Sequence, residues 1–200
     1  IESVERIEAK ARNAALSPVR DLRVYRAQLR RDVGELAAKV RASGTPTAEY
    51  YALGHGYLVL GEDERAAYEL GKAWNGGLRQ PRVAYELALA LGRLYQRALR
   101  ETEEGYLPED HALHKIERPE LSKALRAQRR REIEDRLRGP VLYYLGESQG
   151  PEVPAPPSYI EALIAFHQDR FDDALAKLDT LARDPDIPGF YEAPLLRGEI

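Results

Sequence analysis

Cysteine is absent from all 200 residues, which excludes disulfide scaffolds, thiolate metal sites and cysteine nucleophiles and fits a reducing compartment. Long hydrophobic runs are missing too. No stretch has the length needed to cross a bilayer, and Ile1-Glu2-Ser3-Val4-Glu5-Arg6 is a charged amphipathic start without the apolar core of a signal peptide. The expected location is the cytoplasm. No segment sustains period-two alternation with β-branched enrichment, so essentially no sheet is expected. Positive charge is not in excess. With 30 Lys and Arg against 33 Asp and Glu, the net charge of -3 gives no global attraction to nucleic acid or anionic membrane. What is present is 44% apolar and 32% charged residues, an ordinary balance for a folded soluble protein of one domain or two small ones.

Helical periodicity runs through the first 43 residues. Val4, Ile7, Ala11 and Ala14/Ala15 recur at helical spacing, as do Leu22, Tyr25, Leu29, Val33, Leu36 and Val40. Ser17-Pro18 separates these two amphipathic helices, and Ser43-Gly44-Thr45-Pro46 stops the second.

Residues 50 to 73 then set a stricter pattern: Tyr50, Leu53-Gly54, Tyr57, Gly61, Ala66, Leu70 and Ala73. This spacing resembles the tetratricopeptide repeat, a hairpin of two antiparallel helices. Such helices approach closely only where one side presents Gly or Ala, so Gly54 and Ala66 are expected to make room for Tyr50, Tyr57 and Leu70. Gly61 supplies the tight turn, and Glu62-Asp63-Glu64 places acidic charge at the start of the next helix. Asn75-Gly76-Gly77 ends that helix and Pro81 opens another. Downstream, Ala162, Ala165-Phe166, Asp169-Arg170-Phe171, Ala174, Leu178 and Leu181, followed by Pro185, repeat the pattern, with Phe171 and Ala174 expected to carry the turn and the close contact. From Tyr191 through Leu195, Leu196 and Gly198 a further first helix begins without its partner. Leu195 and Leu196 are expected to be uncovered, as in a piece of a longer protein.

The middle departs from a simple array. The helix from Pro81 continues its apolar face past Leu91 through Tyr95 and Leu99, and Gly105 to Pro119 reads as an irregular loop. A charged helix follows, with Leu121, Leu125, Ile133 and Leu137 on one side, and Gly139-Pro140 is expected to break it before a short apolar helix from Val141 to Gly146. Ser148 to Pro157 is a stiff Pro-rich loop. The chain thus divides into a helical pair (1–44), a first repeat block (45–92), an extended helix with charged insertion and Pro-rich loop (93–157), and a second block truncated at its C-terminal end (158–200). The fold class expected is all-α, a tetratricopeptide-like superhelix, or α-solenoid, with a long helical insertion.

A more particular resemblance covers most of the chain from Arg20 onward. Tyr51-Ala-Leu-Gly, the helix from Ala84 to Leu99, the Arg129-Arg-Arg-Glu run, Pro140-Val-Leu-Tyr-Tyr-Leu and Tyr159-Ile-Glu-Ala-Leu-Ile-Ala-Phe look like the C-terminal repeat region of certain bacterial serine/threonine protein kinases. The resemblance implies a module that recruits substrates or regulators for a catalytic domain elsewhere in the parent chain. Kinase chemistry is absent from these residues, which hold no glycine-rich nucleotide loop, His-Arg-Asp or Asp-Phe-Gly.

Candidate chemistry is sparse, and neither a cofactor nor an enzymatic site is expected. His111 and His114 beside Glu109 and Asp110 lack a third or fourth metal ligand at fixed spacing, so a solvated polar loop is preferred. The glycines of Gly54-His55-Gly56 are better explained by helix packing than by phosphate binding. Acidic groups fall in helical pairs such as Glu134 with Arg138. His167, two residues before a turn, is expected as a partly exposed surface group. Residues 119 to 138 hold seven Lys or Arg against four Asp or Glu, without an aromatic side chain to stack on bases, so nucleic acid is disfavoured. No nucleophile, base and oxyanion-donor set can be assembled.

One residue set suits binding. Tyr51, Tyr85 and Tyr159 occupy the same slot of three repeat frames, in the first helix of each hairpin, which lines the concave side of such an array. They form either a ladder gripping a peptide or filler between helices. His55, Arg82, Glu86, Leu89 and Leu163 lie nearby and set the groove's character. Some members of the repeat family grip a terminal carboxylate with Lys and Asn from these slots; this chain has neither there. The expected partner is a protein or peptide. A spacer or homodimerisation unit with an internally filled groove is the alternative.

Overall fold

The computed structural model describes residues 22–43, 47–103, 119–184, 190 and 192–200. Among them every regular element is helical: α1 (Leu22–Ser43), α2 (Thr47–Leu60), α3 (Asp63–Asn75), α4 (Pro81–Glu103), α5 (Pro119–Ile133), α6 (Gly139–Glu147), α7 (Pro157–His167), α8 (Phe171–Ala182) and α9 (Glu192–Glu199). The expected helix over Val4–Ala15 and nearly all of the loop after Gly105 lie outside the described residues. The chain forms two compact units. One holds the described residues up to Ala90 with Glu147–Pro154; the other holds Leu91–Gly146 and Ala155–Ile200.

In the first unit, α2 is buried almost all round, from Tyr51 to Gly56 and again at Leu58. It packs against α1 and α3. Leu29, Val33, Ala37 and Val40 of α1 form a core with Leu53, flanked by Leu36, Tyr50, Tyr57 and Leu60. Each buried aliphatic side chain there contributes about 1.5–3 kcal/mol. On its other side α2 meets α3 at Gly54. A methyl group on Gly54 would stand 2.6 Å from Leu70 Cγ and 2.9 Å from the Leu70 backbone nitrogen. Only glycine fits, and Ala66, Leu70 and Ala73 are fully enclosed on the facing side.

The turn between α2 and α3 has a defined chemistry. Gly61, at φ 75°, donates to the Leu58 carbonyl, and Glu62 N–H reaches back to Tyr57 O at 2.9 Å. This paired closure of a helix end needs a left-handed residue, which glycine supplies at no steric cost. The α3 end closes the same way, with Gly77 at φ 100° donating to Trp74 O and Leu78 N–H to Ala73 O.

The hairpin of α7 and α8 in the second unit reuses this construction. Asp169, at φ 58°, takes the place of Gly61, its N–H bonding Phe166 O while Arg170 N–H bonds Ala165 O at 2.9 Å. Aspartate tolerates the left-handed region better than most residues. The residue leading into the second helix has φ/ψ of -91°/66° at Glu62 and -92°/66° at Arg170. Ala162, Ala174 and Leu178, buried together, stand at the same offset from Gly54, Ala66 and Leu70 as Asp169 from Gly61. Phe171 opens α8 and is largely exposed, its ring 6.1 Å from Phe166.

Three expectations for the second unit are corrected. Gly139-Pro140 does not break the chain's helical course. A π turn over Glu134–Arg138 leads from α5 directly into α6. Proline lacks an amide hydrogen and its ring crowds the carbonyl four residues back; a widened turn just before Pro140 accommodates both. The same widening uncouples Glu134 from Arg138: Glu134 accepts from Arg130 Nε at 2.9 Å and Arg138 donates to Asp169 at 2.8 Å. Along the charged helix, Ile133 is buried whereas Leu125 is exposed. In α9, Leu195 is 66% exposed as expected, but Leu196 is buried.

Candidate functional site

The first unit brings Tyr51, His55, Arg82 and Glu86 together. Tyr51 and His55 lie one turn apart on α2, and Arg82 and Glu86 one turn apart on α4, so each pair shares a helix face. Glu86 is 3% exposed and is the acceptor for all three. The Tyr51 hydroxyl donates to Glu86 Oε1 at 2.9 Å, Arg82 Nε donates to the same oxygen at 3.4 Å, and His55 Nδ1 lies 3.0 Å from Oε2. A carboxylate can only accept, so Nδ1 carries the proton. Burial, reinforced by the Glu86 charge and hydrogen bond, pushes the Tyr51 phenol far above its ordinary range, so it remains a donor. His55 Nε2 is buried without a hydrogen-bond partner, and the Tyr51 and His55 rings are 6.2 Å apart.

These contacts make a polar seam between α2 and α4. A buried carboxylate is costly unless several donors satisfy it, and here three converge.

Tyr85 is buried in the same unit, while Leu89 is half-buried. Tyr159 and Leu163 belong to the second unit and are also buried, with Tyr159 edge-on to Phe190 at 4.8 Å. The three tyrosine rings are thus interior groups. Of the proposed groove residues, Arg82 and Leu89 keep the most accessible surface.

His167 is not a surface group. It is 5% exposed, and the ring covers Gly92 of α4, whose added methyl would lie 3.0 Å from Nε2. Burial foremost, with Arg138 adding to it and Asp169 opposing, lowers its pKa to about 4. The motif reading missed this pair, although a glycine inside the apolar α4 pattern is the kind of signal that marks close packing.

Elsewhere the surface is charged. Arg129 pairs with Glu132, and Arg130 with Glu134 and Glu103. An open cavity of about 220 Å³ lies in the second unit beside Leu99, Thr102, Glu103, Arg126, Ala127 and Arg130, below the size that encloses most small-molecule ligands. Among the described residues no three His, Asp or Glu side chains converge as a metal site, and no helix is long and apolar enough to cross a membrane. Glu109, Asp110, His111 and His114 lie outside the described residues. No family model, curated protein or solved structure matches this chain.

Proposed function

We propose that the chain is a non-catalytic, tetratricopeptide-like protein-interaction module. The observation that carries this reading is the helical hairpin closed twice by the same left-handed turn, at Gly61 and at Asp169, with Gly54 set against the enclosed Leu70 in the first unit. Stacked hairpins of this kind leave first-helix surfaces free for another chain. In the first unit that surface has the half-buried Arg82 and Leu89 beside the buried polar network of Tyr51, His55 and Glu86 and the buried Tyr85, a mixture of polar and apolar groups suited to an extended peptide. Displayed peptide libraries selected on the isolated chain test this. Enriched peptides should lose binding to Arg82→Gln and Leu89→Ser variants that unfold at the wild-type urea concentration. Failure to enrich any peptide, or binding indifferent to both substitutions, counts against it.

The resemblance of several strings to the C-terminal regions of bacterial kinases extends the proposal to a cytoplasmic parent serine/threonine kinase whose substrates or regulators this module recruits. A glycine-rich loop with His-Arg-Asp and Asp-Phe-Gly motifs upstream of Ile1 in the parent gene is the expected finding.

Burial of Tyr51 and Tyr85 favours a second reading, in which the tyrosine slots serve internal packing and the module is a spacer or dimerisation unit. Light scattering distinguishes them: a dimer that enriches no peptide supports the second reading, and a peptide-binding monomer the first.

A further inference from the structure

His167 closes α7 with its ring buried against Gly92 of α4 and between two aromatic rings. Gly92 lies beneath it, the Tyr95 ring stands 5.9 Å away and the Phe166 ring 5.1 Å. His167 Nδ1 and the Tyr95 hydroxyl are both buried without hydrogen-bond partners. Three groups that titrate or carry charge face the imidazole: Tyr95 from α4, Arg138 from the π turn, and Asp169 from the turn into α8. Arg138 and Asp169 are already paired at 2.8 Å, and the charges of Glu134 and Arg130 also act on Tyr95.

A proton added to this ring creates a buried cation next to Arg138, in which Nδ1–H has no acceptor. The carbonyl end of α7 would favour a cation, and so would Asp169, but Asp169 is engaged by Arg138 and both effects are outweighed by burial. Space offers no relief, because the ring already touches the α4 backbone at Gly92.

We propose that His167 is an acid-sensitive latch: the neutral imidazole holds the α7–α8 hairpin on the Gly92 segment of α4, and protonation loosens it. The depressed pKa of about 4 agrees with this geometry. A His167→Phe variant keeps a ring in the same place without a titrating group.

Urea unfolding of the full chain at pH 7.5 and pH 5.0, wild type against His167→Phe, reads the latch. The wild-type folding equilibrium constant should fall about 30-fold more than that of the variant, given about 4 in the folded state and 6.5 unfolded. Hydrogen exchange, corrected for intrinsic rates, should quicken in α7 and α8 before α2 and α3. An equal fall in His167→Phe, or quickening uniform over all four helices, overturns the proposal. Should the variant fail to fold, NMR titration of the wild-type imidazoles decides: a His167 midpoint well below 6.5 upholds the latch, and one at or above 6.5 removes it.

Discussion

Gly92 and His167 meet across two helices with no room for a side chain between them: a methyl on Gly92 would sit 3.0 Å from Nε2 and 3.3 Å from Cε1. Glycine in a helix interior normally costs about 1 kcal/mol relative to alanine. Here the imidazole occupies the space that alanine would need. Since Tyr95 and Phe166 hold the ring, Gly92→Ala is expected to lose more by overpacking, about 1–3 kcal/mol, than it gains in helix propensity. The net loss should be about 1 kcal/mol by urea unfolding. In a His167→Ala background the same substitution should turn stabilising, by up to about 1 kcal/mol. The same sign in both backgrounds would dissolve the contact argument.

Gly54 gives a harder version of the same test. Its missing methyl would meet not only Leu70 Cγ but the Leu70 backbone nitrogen at 2.9 Å, and backbone cannot step aside as a side-chain tip can. Gly54→Ala should cost about 1–3 kcal/mol net. Trp74, the only tryptophan, is buried in the same unit, so its fluorescence should report the shifted transition. Leu70→Ala alone should cost about 2–5 kcal/mol, and the double variant less than the sum, because the second change opens part of the space the first one crowds. Strict additivity would argue against a shared contact.

Glu86 is expected to outweigh each of its donors. Tyr51→Phe removes one hydroxyl and leaves the carboxylate with His55 and Arg82, so the loss should be about 1 kcal/mol. Glu86→Ala strands the buried Tyr51 hydroxyl and His55 Nδ1 together, and should cost about 3 kcal/mol or more. Urea melts of the two variants check the order. A larger loss from Tyr51→Phe, which keeps the ring and removes only the hydroxyl, would mean that this one hydrogen bond outweighs the rest of the seam.

Much of the hairpin plan was legible because small residues and turn residues announce their geometry locally. Gly54, Ala66 and Gly61 each have one physical task, and each performs it in the structure. The second turn was assigned to Phe171, but Asp169 carries it and Phe171 opens the helix that follows, since a non-glycine left-handed residue is set by its surroundings rather than by its type. Pro140 misled for a related reason: proline predicts a break, but a π turn placed just ahead of it removes the clash and lets the helix continue. Tyr51, His55, Arg82 and Glu86 stood among eight groove candidates in the sequence, which did not show that these four form one hydrogen-bonded network. Which of two facing helices buries a carboxylate depends on register, and periodicity does not carry that. His167 was misjudged because a histidine near a turn has no local mark of burial; its mark was the glycine on a distant helix.

The pH response of the second unit has a sign that can be checked by moving one charge. The folded-state pKa of His167, about 4, lies below the unfolded 6.5, so the folded chain holds that proton less tightly than the unfolded chain. The contribution is therefore complete above pH 6.5 and lost as pH falls from 6.5 towards 4, by about 3 kcal/mol in full. Burial is the main cause, and Arg138 deepens it while Asp169 opposes it. Replacing Arg138 by Gln should raise the His167 titration midpoint towards 6.5 and reduce the stability lost between pH 7.5 and 5.0. Asp169→Asn, which keeps a residue tolerant of the left-handed turn, should move the midpoint the other way and enlarge the loss. The exposed Arg138–Asp169 pair itself is worth at most about 1 kcal/mol, so at pH 7.5 both variants should unfold close to the wild-type midpoint. Imidazole NMR titration of the two variants separates charge from packing. Opposite displacements show that these two groups tune the histidine through the field they make at its ring, whereas displacements of one sign would assign the effect to a rearranged turn.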